Sequence, residues 1–173
     1  MARKILIALC VLFVMPVFVI TGCDEVQENL FPKSSFIADF SCEYRKMNIT
    51  GKLSASGKKL INISLDSPNT VSGLSVTYKG SDIEISRENM ICSADEAYIP
   101  ESSFPNITKE IIYGIADGRA VFEGKCDDVC TYRLDSAFGK AVVSTNSKGC
   151  ISKISVDGED YEMVLSDVKD ANG

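Results

Sequence analysis

Histidine and tryptophan are both missing from the 173 residues. Without histidine the commonest general base is gone, and with it the Ser-His-Asp and Cys-His arrangements and the usual zinc ligands. Carboxylates remain as candidates for catalysis, but Asp95-Glu96, Asp127-Asp128 and Glu159-Asp160 are neighbours in turn-like segments. Adjacent acids in turns are solvated, whereas a glycosidase needs two carboxyls set across a cleft. Asp157-Gly158-Glu159-Asp160 lacks the spacing of a calcium loop. The expectation is therefore a protein that is not an enzyme, with no catalytic residue, resident metal or cofactor. Positive charge is also short: 18 Lys and Arg stand against 24 Asp and Glu, a balance that does not suit nucleic acid.

No apolar run reaches the ~20 residues of a membrane-spanning helix. The longest, Ile5 to Ile20, covers sixteen residues, is interrupted by Pro16 and follows Arg3 and Lys4, the layout of a signal peptide. It ends in Ile20-Thr21-Gly22-Cys23, which resembles the lipobox of bacterial lipoproteins. That resemblance implies diacylglyceryl transfer to Cys23, cleavage before it, and a chain held at the extracytoplasmic face of the cell membrane by acyl chains. More than one chain makes physical sense of stable anchoring, since one alone binds only marginally. Loss of residues 1–22 would leave 16 basic against 24 acidic residues, a net charge of −8. An anionic protein has no polybasic grip on lipid headgroups, which leaves the acyl groups as the membrane attachment. The sequons at Asn48, Asn62 and Asn106 carry no weight in a bacterial lipoprotein.

Residues 23–35 read as the lipidated cysteine and a short polar tether, and 36–173 as one domain large enough for a real hydrophobic core. Within it, Ile61, Ile63 and Leu65 alternate with polar residues until Pro68, which cannot donate to a strand ladder. Leu74, Val76 and Tyr78, a turn over Lys79 to Asp82, then Ile83 and Ile85 predict a hairpin. Cys130, Tyr132 and Leu134 alternate likewise, and Ala141–Thr145, Ile151–Val156 and Tyr161–Leu165 add three strands, the last two joined at Asp157-Gly158. One segment differs. Phe104, Ile107, Ile111 and Ile115 recur at steps of three and four, predicting an amphipathic helix over about 105–116, with Asn106, Lys109 and Glu110 outside its apolar stripe. Those four side chains are candidates for contact with an apolar ligand if the helix is a lid, and for core if it plugs the sheet.

Five cysteines lie in the domain: Cys42, Cys92, Cys126, Cys130 and Cys150. Outside the cytoplasm disulfides are permitted, and two bridges with one thiol left over allow fifteen pairings. A three-residue loop would make Cys126 and Cys130 cross-strand neighbours, so their bridge is the favoured pairing. Zinc on the same segment is the competing reading, and it lacks a histidine or a second matched cysteine pair.

The ordered set Ile63-x-Leu65-x-x-Pro68, Val71-Ser72-Gly73-Leu74, Tyr78-x-Gly80-x-x-Ile83-x-Ile85, the Phe104–Ile115 helix, Tyr132-x-Leu134-Asp135 with Gly139, and the Asp157-Gly158 hairpin resembles the LolA/LolB-like lipoprotein-carrier superfamily. Its anchored members include the LppX/LprG and clostridial GerS types. The resemblance implies an α+β, β-dominant fold: a strongly curved antiparallel sheet, an unclosed half-barrel, with one or more helices across its concave face. It further implies either binding of an acyl chain, another apolar ligand or a lipoprotein at the membrane surface, or, as in the GerS type, docking of an envelope protein such as a cell-wall enzyme.

Overall fold

The computed structural model describes residues 31–171. The signal peptide and Cys23 lie outside the described residues. Eleven strands form one antiparallel sheet: β1 (Ser35–Tyr44), β2 (Met47–Ser56), β3 (Leu60–Ser67), β4 (Leu74–Lys79), β5 (Asp82–Arg87), β6 (Met90–Asp95), β7 (Val121–Cys126), β8 (Val129–Ser136), β9 (Gly139–Thr145), β10 (Ile151–Val156) and β11 (Tyr161–Asp170). A 3-10 turn at Glu96–Tyr98 and one helix, α1 (Phe104–Ala116), stand between β6 and β7. The strand order is β6-β5-β4-β3-β2-β1-β11-β10-β9-β8-β7. Two meanders therefore run in opposite directions, one outward from β1 and one inward to β11, and they join where Phe36 faces Asp170 and Tyr44 faces Tyr161.

Short turns make the meanders possible. Arg45 and Lys46 both take positive φ in the two-residue turn after β1, the backbone twist that suits a tight hairpin. Gly80-Ser81 closes β4 onto β5 at Lys79 and Asp82, as the sequence predicts. The hairpin at Asp157-Gly158 is present, with four residues in its loop. Along the strands the alternation holds on one face: Ile61, Ile63 and Leu65, then Val76, Tyr78 and Ile83, and Cys130, Tyr132 and Leu134 are all buried. β1 and β2 share this pattern through Phe36, Ala38, Phe40, Cys42, Tyr44, Ile49, Leu53 and Ala55.

The helix shows how far the sheet curves. Asn106 accepts a hydrogen bond from the Tyr78 hydroxyl of β4, while Gly114 lies so close to β8 that a Cβ there would meet Leu134 Cδ2 at 2.7 Å. Those strands are seven steps apart in the order, about 34 Å if the sheet were flat. The two helix residues are only about 12 Å apart along the axis. One helix can touch both strands only if the sheet wraps around it. α1 starts after the extended Ser103, with Pro105 in its first turn, and stops where Gly118 takes φ +71° and Arg119 N–H bonds the Gly114 carbonyl.

Candidate functional site

The concave side of the sheet and the helix within it are where the resemblance would place a ligand. Phe104, Ile107, Ile111 and Ile115 all face the core, and Ile107 and Ile111 are completely buried. Ile112 is buried as well, and no residue of α1 is exposed. This corrects part of the expected pattern: Asn106 and Lys109, placed outside the stripe by spacing, are buried too. Glu110 and Tyr113 remain half-buried, while the sheet and the segment after β6 together cover Asn106 and Lys109, whose polar groups find partners there. Asn106 is held between the Tyr78 hydroxyl at 2.7 Å and the Pro100 carbonyl, to which its amide donates at 3.2 Å. Thr108 bonds the Phe104 carbonyl and the Tyr161 hydroxyl, each at 2.9 Å. Lys109 forms an ion pair with Glu96, and its ammonium lies 5.4 Å and 5.7 Å from the Tyr78 and Tyr113 ring centroids. Burial pulls Lys109 below the ordinary lysine range and pushes the Tyr78 and Tyr161 phenols up. These groups tie the helix to the sheet and to the 3-10 turn.

At the helix N-terminus, Phe104 packs among Phe40, Tyr44 and Tyr161 with ring centroids 5.7 Å, 6.2 Å and 6.0 Å away, and the Tyr44 hydroxyl donates to the Ser102 carbonyl. A second aromatic group sits at the β7–β8 lip. Tyr132, itself buried, is flanked by Phe122 at 5.6 Å and Phe31 at 6.1 Å, both edge-on. Phe122 is 37% and Phe31 43% exposed, so apolar rings continuous with the core reach solvent here. The chain at Phe31–Ser34, within the expected tether, is fastened to the body: Lys33 N–H bonds the Gly149 carbonyl and the Lys33 ammonium pairs with Asp170.

Recesses elsewhere are walled by charge. One of about 460 Å³ is bordered by Glu43, Lys46, Asp157, Asp160 and Glu162, and one of about 210 Å³ by Glu96, Glu101, Lys109, Glu110 and Phe138. The first has the volume of a small-molecule site without the apolar walls an acyl chain would need.

The expected Cys126–Cys130 bridge is not formed, and both thiols are free. The loop is two residues, Asp127-Asp128, with Asp127 at positive φ, not three. Cys126 therefore faces Val129, while Cys130 faces Lys125. Successive residues point to opposite faces of a sheet, which leaves Cys126 exposed and Cys130 buried. Cys42 is buried, and desolvation pushes its thiol up to about 12.

No family model matches the chain, and no curated protein does. Among solved structures, an uncharacterized conserved protein from Thermus thermophilus is similar at a TM-score of 0.50 and 9% identity, over 79% of each chain. A LolA superfamily protein, NE2245 from Nitrosomonas europaea, is similar at 0.43 and 14%, over 83% of this chain and 89% of that one. A "putative outer membrane lipoprotein-sorting protein domain" from Vibrio parahaemolyticus is similar at 0.39 and 12%, over 85% and 90%. The first likeness is one of fold. Eleven antiparallel strands in one unclosed sheet around one helix make the β-dominant α+β half-barrel expected from the sequence. Among the described residues no helix is long and apolar enough to cross a membrane.

Proposed function

We propose that this chain is a lipid-anchored envelope protein whose LolA-like domain binds an acyl chain or a similarly apolar ligand, and that it is a binding protein, not an enzyme. The reading is supported by the β7–β8 lip, where Phe31 and Phe122 carry the apolar core out to solvent beside Tyr132. An acyl chain docks there first, exchanging water for ring faces and edges, at about 25 cal/mol for each Å² of apolar surface covered. Passage further in follows the apolar seam between α1 and the concave face, so uptake requires the helix to yield. The anchor at Cys23 holds the lip near the bilayer: seven residues separate Cys23 from Phe31, a reach of about 27 Å at full extension.

The full chain isolated from membranes, extracted with organic solvent and analysed by mass spectrometry, should release a stoichiometric lipid. A fluorescent fatty acid should bind it and lose most of its binding in Phe122→Asp with folding intact. A protein free of lipid, with no fatty-acid binding, would overturn the ligand. The anchor is tested separately, by a diacylglyceryl group on the Cys23 peptide and by release of Cys23→Ser from the membrane fraction.

A further inference from the structure

Among the described residues the sheet ends in two edges with no strand beyond them, β6 and β7, and they differ. β7 carries Glu123 and Lys125, and its register with β8 shifts between Phe122 and Gly124. Charged side chains and a bulge are the features by which edge strands resist pairing with another chain. β6 has neither. Its register with β5 runs without a break from Asp82↔Asp95 to Arg87↔Met90, and no residue from Met90 to Ala94 is charged or a proline. Met90 and Ile91 point to opposite faces and are each 68% exposed, and Cys92 beside them is exposed with a free thiol.

From this contrast we infer that β6 is an interface for a second copy of this chain, the two β6 strands pairing antiparallel about a two-fold axis at Cys92. The occupant follows from what the edge demands. A strand laid along β6 must be uncharged over five residues and must bring apolar side chains on both faces at adjacent positions. β6 itself meets that demand, whereas β7 offers Val121 and Phe122 and then Glu123. In the two-fold register Met90 faces Ala94, Ile91 faces Ser93, Cys92 faces Cys92, and Asn89 faces Asp95, so an acid meets an amide where like charges would repel. Such an interface is isologous and closes at a dimer. It joins two eleven-stranded sheets into one and is independent of any ligand in the concave side. Opposed residues in an antiparallel pair have Cβ atoms about 4.5–5.5 Å apart, which brings the two Cys92 thiols within reach of a short bismaleimide.

Membranes holding the full chain, treated with that reagent, should yield a species of twice the chain's mass. The product should vanish in Cys92→Ser and persist in Cys126→Ser. Ile91→Lys, a change at an exposed site that keeps the thiol, should weaken pairing by about tenfold or more while Cys92 still takes a single maleimide. Met90→Glu should repeat the result from the opposite face. Sedimentation equilibrium of the detergent-solubilised full chain should report a dimer for the native sequence and a monomer for either charged variant. A native chain that is monomeric and uncrosslinked, a crosslink that survives both charged variants, or a ladder beyond the dimer that requires Cys126 would each overturn the inference. The ladder would assign β6-to-β7 pairing instead.

Discussion

Helix α1 and strand β6 carry similar apolar side chains and treat them in opposite ways. No residue of the thirteen in α1 is exposed, and none of the six in β6 is buried. Ile111 has lost all contact with solvent while Ile91, just after the β5–β6 turn, keeps 68% of its surface wet. Hydropathy alone does not say which isoleucine is core. The sheet's curvature decides, because strands near its middle wrap the helix and an edge strand has a neighbour on one side only.

Charge is the strongest way to break that comparison. Ile111→Asp would bury a carboxylate among Ile107, Ile112 and Ile115 with no cation provided for it, and should cost about 3–5 kcal/mol or prevent folding. Urea denaturation followed by circular dichroism would read the loss. Ile91→Lys in the same assay, at concentrations where the chain is monomeric, should stay within about 0.5 kcal/mol of the parent. Equal losses at both sites would show that α1 is not the centre of the core.

Glycine gives a second pair. A Cβ at Gly51 in β2 would sit 1.9 Å from the Ser64 carbonyl oxygen, whereas one at Gly124 in β7 would meet nothing within 4 Å. Gly51→Ala should therefore cost about 1–3 kcal/mol by forcing β2 and β3 apart, and Gly124→Ala less than about 0.5 kcal/mol. Paired melting curves check both.

The smallest effect is one of pH. Cys42 is neutral in the folded state and is pushed from an ordinary 9.0 up to about 12 by burial. The unfolded thiol ionises first as pH rises. Stability is thus fully present below pH 9 and declines toward pH 12, by about 1 kcal/mol for each pH unit. Between pH 9 and 10 the unfolded tyrosines also begin to ionise, and five of them are pushed up by burial in the folded state, so the decline should become shallower in Cys42→Ala without vanishing.

What could be read beforehand follows the same division. Strands with one wet and one dry face announce themselves by alternation, so Ile61–Leu65, Leu74–Ile85, Cys130–Leu134 and the last three strands were legible, as was the helix over about 105–116. β6 and β7 were not, because residues exposed on both faces need no alternation. The burial of Asn106 and Lys109 was hidden for a related reason: spacing shows which stripe of a helix is apolar, and cannot show that Tyr78 of the sheet and Glu96 and Pro100 of the segment after β6 close over the neighbouring side. Asn106, directly after Pro105, carries no local sign of its partner, because Tyr78 is 28 positions away. The Cys126–Cys130 expectation failed by one residue of loop, which in a sheet moves a side chain to the other face. The lip formed by Phe31 and Phe122 on Tyr132 joins a segment taken for tether to an unrecognised edge strand, and neither half suggested the other.

The seam between β1 and β11 also sets an order of events as the chain folds. The two meanders meet only there and around α1, so the central pairing of Phe36 with Asp170 waits for the last of the described strands to emerge. Until then the first meander presents β1 as a raw edge, and contacts so distant in sequence form slowly. With the proposed anchor at Cys23 in place, the half-built sheet would spend that interval beside the membrane among other anchored chains, where pairing with its own late strands has to outrun pairing with a neighbour.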